Sequence, residues 1–209
     1  MLAALNPVPV TVSPLRRVPQ LIVGLWLYGA SMALQLRATL GLEPWGVLHE
    51  GLTELTGLSF GTITSLVGAL VLLCWIPLRQ RPGVGTVANV LVIGVAVDVT
   101  LAVLPGPAAL LPRVLFLVTG VALNALAAAT YIGARLGPGP RDGLTTGFCA
   151  RTGTSLRLVR TVVEVTVLGV GWLLGGTIGV GTVLYAVAIG PLTQAALPLV
   201  TWVGSRPAS

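Results

Sequence analysis

Two carboxylates, Asp98 and Glu164, stand inside long apolar stretches of this chain. A charge placed within a membrane helix costs roughly 2.5–3.5 kcal/mol on insertion scales, so each is a candidate coupling or gating group. Arg160 lies one turn before Glu164, with Arg157 a further turn back, which leaves Glu164 a choice between an ion pair along one helix face and contact with a proton or solute. Asp98 has no cation on its own helix; it either lines a path or sits solvated near an aqueous vestibule. Gln194 stands at the position related to Asp98 by an internal repeat and could line the same cavity. Asn89, Asn124, Tyr185 and Gln35 are further polar positions in apolar runs, fit either to contact a solute or to bond helix to helix.

Two Gly-x-Gly-Thr sequences, Gly83, Gly85 and Thr86 in one and Gly179, Gly181 and Thr182 in the other, each open an apolar segment. Their backbone N–H groups and hydroxyls could receive an anion at a helix start; alternatively the small residues let helices approach closely. No strand precedes them and no Gly-Lys-Ser/Thr follows, so neither is a nucleotide-binding loop. Catalysis has no visible machinery. His49 is the sole histidine, on what reads as a solvated polar helix face beside Glu50, and no nucleophile has a base within reach in sequence. One histidine and two unrelated cysteines, Cys74 and Cys149, supply neither a metal site nor a disulfide framework, and no cofactor is expected.

These groups sit in a chain that is 55% hydrophobic and 9% charged, with mean hydropathy +0.95. Ordinary soluble domains carry about 25% charged residues, so the chain is read as a membrane protein. All 12 basic residues are Arg, scattered beside apolar segments and without interleaved aromatics, which excludes nucleic acid as a partner and leaves the lipid bilayer. Six segments reach spanning length: 21–40, 58–78, 84–104, 113–135, 156–174 and 180–203.

Displacing the sequence by 96 positions superposes Leu40, Gly41 and Pro44 on Leu136, Gly137 and Pro140, and Gly83–Val87 on Gly179–Val183. Three spans fall in each copy, an odd number, so the second copy enters the membrane from the opposite side. The expected fold is therefore an all-α, polytopic membrane protein of six spans arranged as two inverted three-helix repeats. Residues 1–20 form an N-terminal tail, 21–104 and 105–203 the two repeats, and 204–209 a C-terminal tail. Arg16 and Arg17, then Arg79 and Arg81, then Arg135, Arg141, Arg151, Arg157 and Arg160 all fall on one side of such a six-span chain, which places both termini in the cytoplasm. Each repeat also carries a short Pro-led segment, 44–56 and 140–152, that reads as an amphipathic helix lying on the membrane or dipping into it as a re-entrant half-helix. Their charges differ in sign: Glu50 and Glu54 become Thr146 and Ala150, while Trp45 and Leu55 become Arg141 and Arg151.

The Leu-Gly-x-x-Pro-Trp run ending at Trp45, Thr-Gly-x-Ser at 56–59, Gly-x-Gly-Thr-x-x-Asn at 83–89 and Gly-Trp-Leu-Leu-Gly-Gly at 171–176 together resemble the YczE/YyaS/YitT-type bacterial integral membrane proteins. The resemblance implies a multi-spanning protein of the bacterial inner membrane, without a substrate or catalytic residues. The Pro-x-Asp pattern associated with it is complete only in the second copy, because Gly46 stands where Asp142 is found, so any role for that acid falls to Asp142 alone. Function is then expected to be secondary transport or export of a small molecule or ion between the two halves. The rival is a non-transporting scaffold or accessory subunit for another membrane or biosynthetic protein. A homo-oligomer is compatible with either, and an enzyme with neither.

Overall fold

A computed structural model describes residues 7–202; the first six residues of the N-terminal tail, and the expected C-terminal tail, lie outside the described residues. Those residues form eight α-helices and no strand: α1 (Pro14–Ala38), α2 (Pro44–Thr56), α3 (Phe60–Leu78), α4 (Val84–Val103), α5 (Leu110–Gly133), α6 (Pro140–Thr152), α7 (Leu156–Leu173) and α8 (Val180–Val200). The starts at 14, 44, 60 and 84 recur at 110, 140, 156 and 180, a constant offset of 96. Local chemistry explains the shared boundaries. Pro44 and Pro140 occupy first-turn positions, where proline's missing N–H costs nothing. Gly57 and Gly153 close the short helices at φ 71° and 68°, the left-handed region that glycine enters without penalty. Ser59 and Ser155 then accept from Thr62 N and Leu158 N at the next helix starts.

Five helices, α1, α3, α4, α5 and α8, are long and apolar enough to cross a membrane. The sixth expected span, 156–174, coincides with α7 but holds Arg157, Arg160 and Glu164 within its 18 residues and falls outside that set. The first span also differs from its expected start at residue 21: α1 begins at Pro14, so Arg16 and Arg17 belong to its first turns rather than to a flanking tail.

The core is the pair α1 and α5, which run antiparallel. Arg17, fully buried at the start of α1, donates from Nε to Ala134 O (2.9 Å) and from Nη2 to Arg135 O (3.0 Å) at the end of α5. Arg113, at the start of α5, donates from Nε to Ala38 O (2.9 Å) and from Nη2 to Thr39 O (3.0 Å) at the end of α1. Each cation thus meets the carbonyl end of the other helix's dipole. Arg113→Gln is expected to lower stability by about 1–2 kcal/mol, read as thermal unfolding in detergent, because a charged donor to two helix-end carbonyls is lost.

Other contacts exchange in the same way. A Cβ on Gly24 would lie 2.7 Å from Tyr131 N, and one on Gly120, its counterpart, 2.9 Å from Gln35 Cγ. Gly85 N donates to Leu136 O (2.9 Å), and Gly181 N to Leu40 O (2.8 Å). The repeated Leu-Gly and Gly-x-Gly-Thr motifs are therefore each other's partners across the two halves. One contact is not repeated. α3 packs along α4 through Gly61 and Gly94, but α7 and α8 are not packed together in this way. Arg157 stands where Gly61 would be, and Gly190, the counterpart of Gly94, faces open space.

Candidate functional site

The two Pro-led helices, expected on opposite surfaces of the membrane, meet at their first turns. Glu43, the residue before Pro44, and Arg141, the residue after Pro140, form an ion pair of 3.0 Å between Glu43 Oε2 and Arg141 Nη1. Arg141 also donates from Nη2 to the Tyr28 hydroxyl and lies 5.9 Å over the Tyr28 ring, within cation–π range. Tyr28 falls midway between Arg17 and Ala38, about 16 Å along the helix axis from each at 1.5 Å per residue. The pair therefore sits level with the middle of α1. The second loop is held there by Trp75, whose indole N–H donates to Pro140 O (2.9 Å). Tyr131 packs edge-on to Tyr28 and donates to Asp142 Oδ2 (3.2 Å).

Around this pair lies a cavity of about 70 Å³. Tyr28, Glu43, His49, Asn89, Tyr131 and Arg141 give it polar groups, and Met32, Trp45, Val67, Val71 and Ile93 an apolar wall. The two members of the ion pair differ in access: the Arg141 side chain is 27% exposed and Glu43 only 3%. Burial pushes the Glu43 carboxyl above its usual range, against the opposing pull of Arg141. A second pocket of about 10 Å³ lies beyond Trp45 and Arg141, lined by Asp142, Thr145, Arg160, Val163 and Glu164. Displaced by 96 positions, Trp45, His49, Thr64, Val67 and Gly68 of the larger cavity become Arg141, Thr145, Arg160, Val163 and Glu164 of the smaller. The pockets are equivalent in the two halves; the second is filled because Gly68 and Thr64 are replaced by an acid and an arginine.

His49 departs from its expected solvated setting. It is 5% exposed, edge-on to Phe60 at 5.7 Å, with Nδ1 3.2 Å from Thr64 Oγ1. With the Thr64 hydroxyl proton assigned to Phe60 O at 2.8 Å, the His49 tautomer that completes the set carries its proton on Nδ1 and donates to Thr64. Burial, then Arg141, push its pKa down to about 3. His49 is therefore held in its neutral form.

The residues singled out from sequence are dispersed. Asp98 accepts from Ser59 Oγ (2.5 Å) and Gly61 N (2.8 Å), closing the start of α3 from the neighbouring α4. Its counterpart Gln194 is exposed on α8, and neither lines the cavity. Glu164 pairs with Arg160 at 3.3 Å and both line the small pocket. Asn89 lines the large cavity; Asp142 lines the small one and receives Tyr131. Gly83, Gly85, Thr86, Gly179, Gly181 and Thr182 lie at the crossing of the halves. There Thr86 Oγ1 accepts from Gly83 N (3.1 Å) and donates to Pro138 O (2.8 Å), and Thr182 Oγ1 accepts from Gly179 N (3.2 Å). With Gly85 N and Gly181 N also bonded, the glycine amides of both motifs are spent on the protein itself. Sequence reasoning missed Glu43, Arg141 and Tyr28 as a unit. The available signal was the pair of charges flanking two equivalent prolines, which reads as membrane sidedness until the first turns are brought together.

Residues 15–198 match a family of unknown function, DUF6198. An uncharacterized protein of Haemophilus influenzae is 38% identical over 83% of this chain and 80% of its own length. In Bacillus subtilis, the uncharacterized membrane protein YczE is 33% identical over 82% of this chain and 80% of its own, and the uncharacterized protein YyaS 25% identical over 85% and 90%. No solved structure matches.

Proposed function

Since the chain belongs to the DUF6198 family of YczE-like membrane proteins, whose description carries no activity, we propose from its own geometry that it is a small secondary transporter of the inner membrane. Its path runs between two inverted halves, each contributing three spans, with α7 as the sixth. The observation that carries this reading is the Glu43–Arg141 pair, supplied at the starts of two short helices and held level with the middle of α1. Transporter sites formed at the junction of inverted repeats take this arrangement. The antiparallel contacts Arg17 to Ala134 and Arg113 to Ala38 support the inversion. The two equivalent pockets, about 70 and 10 Å³, support alternate exposure: one compartment is open while the other is closed, and rocking the halves exchanges them.

The test is flux in proteoliposomes for amino acids, organic anions and short peptides, with and without a pH gradient. Uptake above empty liposomes, reduced at least tenfold by Arg141→Gln, is expected. Silence of a well-folded sample across the panel would favour the scaffold. Orientation has its own check. With both termini cytoplasmic, a Cys replacing Glu50 is labelled from outside the cell and one replacing Thr146 from the cytoplasm; both labelled from one side would defeat the inversion.

A further inference from the structure

We infer that the solute is a small carboxylate with a short apolar tail, which takes the place of Glu43 on Arg141 and travels with one proton. This inference rests on the transport reading for its motion but on the cavity alone for its chemistry. Arg141 is the accessible member of the pair, and its planar fork matches a carboxylate in two parallel hydrogen bonds. Tyr28 and Asn89 stand beside it as neutral hydrogen-bonding groups. The rest of the lining is largely apolar, Val67, Val71, Ile93, Met32 and the Trp45 ring, broken only by the neutral pair His49 and Thr64, and so favours an apolar tail over a charged one. At about 70 Å³ the cavity is small, with room for a few water-sized groups. That suits a short carboxylate, of about four carbons, better than a peptide or fatty acid.

Exchange on Arg141 fixes the proton count. When the solute carboxylate replaces the Glu43 carboxylate, Glu43 is left buried without its cation. The charged and titratable groups that act on it are Arg141 on α6, Glu164 on α7, Tyr28 on α1 and Tyr185 on α8, while His49 on α2 and Tyr131 on α5 share its cavity. Arg141 now belongs to the solute, and no other arginine among the described residues lines this cavity, so nothing there neutralises a second anion. Glu43 therefore takes a proton from hydronium or a buffer acid, whose bond to that proton breaks as the Glu43 O–H bond forms and the Glu43–Arg141 contact opens, and returns it to water when Arg141 comes back. The net movement is one carboxylate with one proton.

The probe is butyrate, titrated by calorimetry into the purified full-length chain in nanodiscs, in buffers of different ionisation enthalpy. Butyrate is expected to bind with uptake of close to one proton, and butylammonium and butyramide at least tenfold more weakly. Glu43→Gln removes the competing carboxylate and should bind butyrate about tenfold more tightly, with no proton uptake. Arg141→Gln should lose at least tenfold, and because it risks misfolding, Glu43→Gln carries the decision. Equal or better binding of butylammonium, no binding of butyrate, or Glu43→Gln binding butyrate no more tightly than wild type would each overturn the inference. Failure of the two readings is separable: butyrate bound but never moved across proteoliposomes removes transport and keeps the carboxylate site. Flux of another solute without butyrate binding does the reverse.

Discussion

Gly94→Ala is expected to lower the stability of the protein by roughly 2–3 kcal/mol, a fall in apparent Tm on the order of 5–10 °C in detergent micelles. Its Cβ would lie 2.2 Å from Ser65 Oγ and 2.5 Å from Gly61 O, and the second of these is backbone that cannot rotate away. The helices would have to separate. Ser65 would then lose its hydrogen bond to Val90 O (2.8 Å), and Gly61 N its bond to Asp98 (2.8 Å). Membrane helices associate through close packing and such bonds, since lipid offers no hydrophobic drive between them. Gly169→Ala supplies the contrast: a methyl added there, on α7, would meet nothing within 4 Å. Helix propensity alone then acts, and alanine should stabilise by up to about 1 kcal/mol. Equal Tm changes for the two variants would show that the α3–α4 crossing is not a close contact.

The glycines of that crossing show what a sequence can and cannot reveal. Helix starts were legible because prolines, cap serines and closing glycines recur at a fixed offset, and because apolar runs of spanning length need no partner to be recognised. Packing of the two halves was not equally legible. The replacement of Gly61 by Arg157 at the equivalent position is visible in the sequence, but its consequence, an α7 not packed along α8, requires knowing that Gly61 faces Gly94. Asp98 failed as a guide to the site for a related reason. An acid in an apolar run draws attention, yet its partners, Ser59 and the Gly61 amide, lie 39 and 37 residues away and use it as a helix cap. Glu43 and Arg141 were hidden by the opposite error. Each lies beside a proline in a connecting segment, where charge is ordinary, and 98 residues separate them. Only when both loops turn back along α1 do ordinary loop charges become a buried pair.

Lowering the pH from 6.5 to 4 should destabilise the folded protein by about 3 kcal/mol through His49 alone. The sign follows from where the proton goes. In the unfolded chain His49 titrates near 6.5, whereas burial, reinforced by Arg141, holds it near 3 in the fold. Above pH 6.5 both states are neutral and the contribution is fully present. Below it the unfolded chain binds a proton that the folded one refuses, and stability falls by about 1.4 kcal/mol per pH unit until the folded pKa is reached. His49→Asn keeps a side-chain N–H for Thr64 and cannot titrate, so its loss of Tm between pH 6.5 and 4 should be markedly smaller. Carboxylates titrate alike in both proteins and cancel in the difference. Superimposable pH profiles would mean that His49 takes up its proton without unfolding, and hence that the cavity admits a second cation beside Arg141. A binding site for anions gains from such a charge, but one that returns Arg141 to Glu43 after each release does not, because Glu43 could then stay ionised on the histidine. The neutrality of His49 is therefore what makes Glu43 dependent on Arg141 or a proton, and the pH profile of this one variant tests that dependence apart from any measurement of flux.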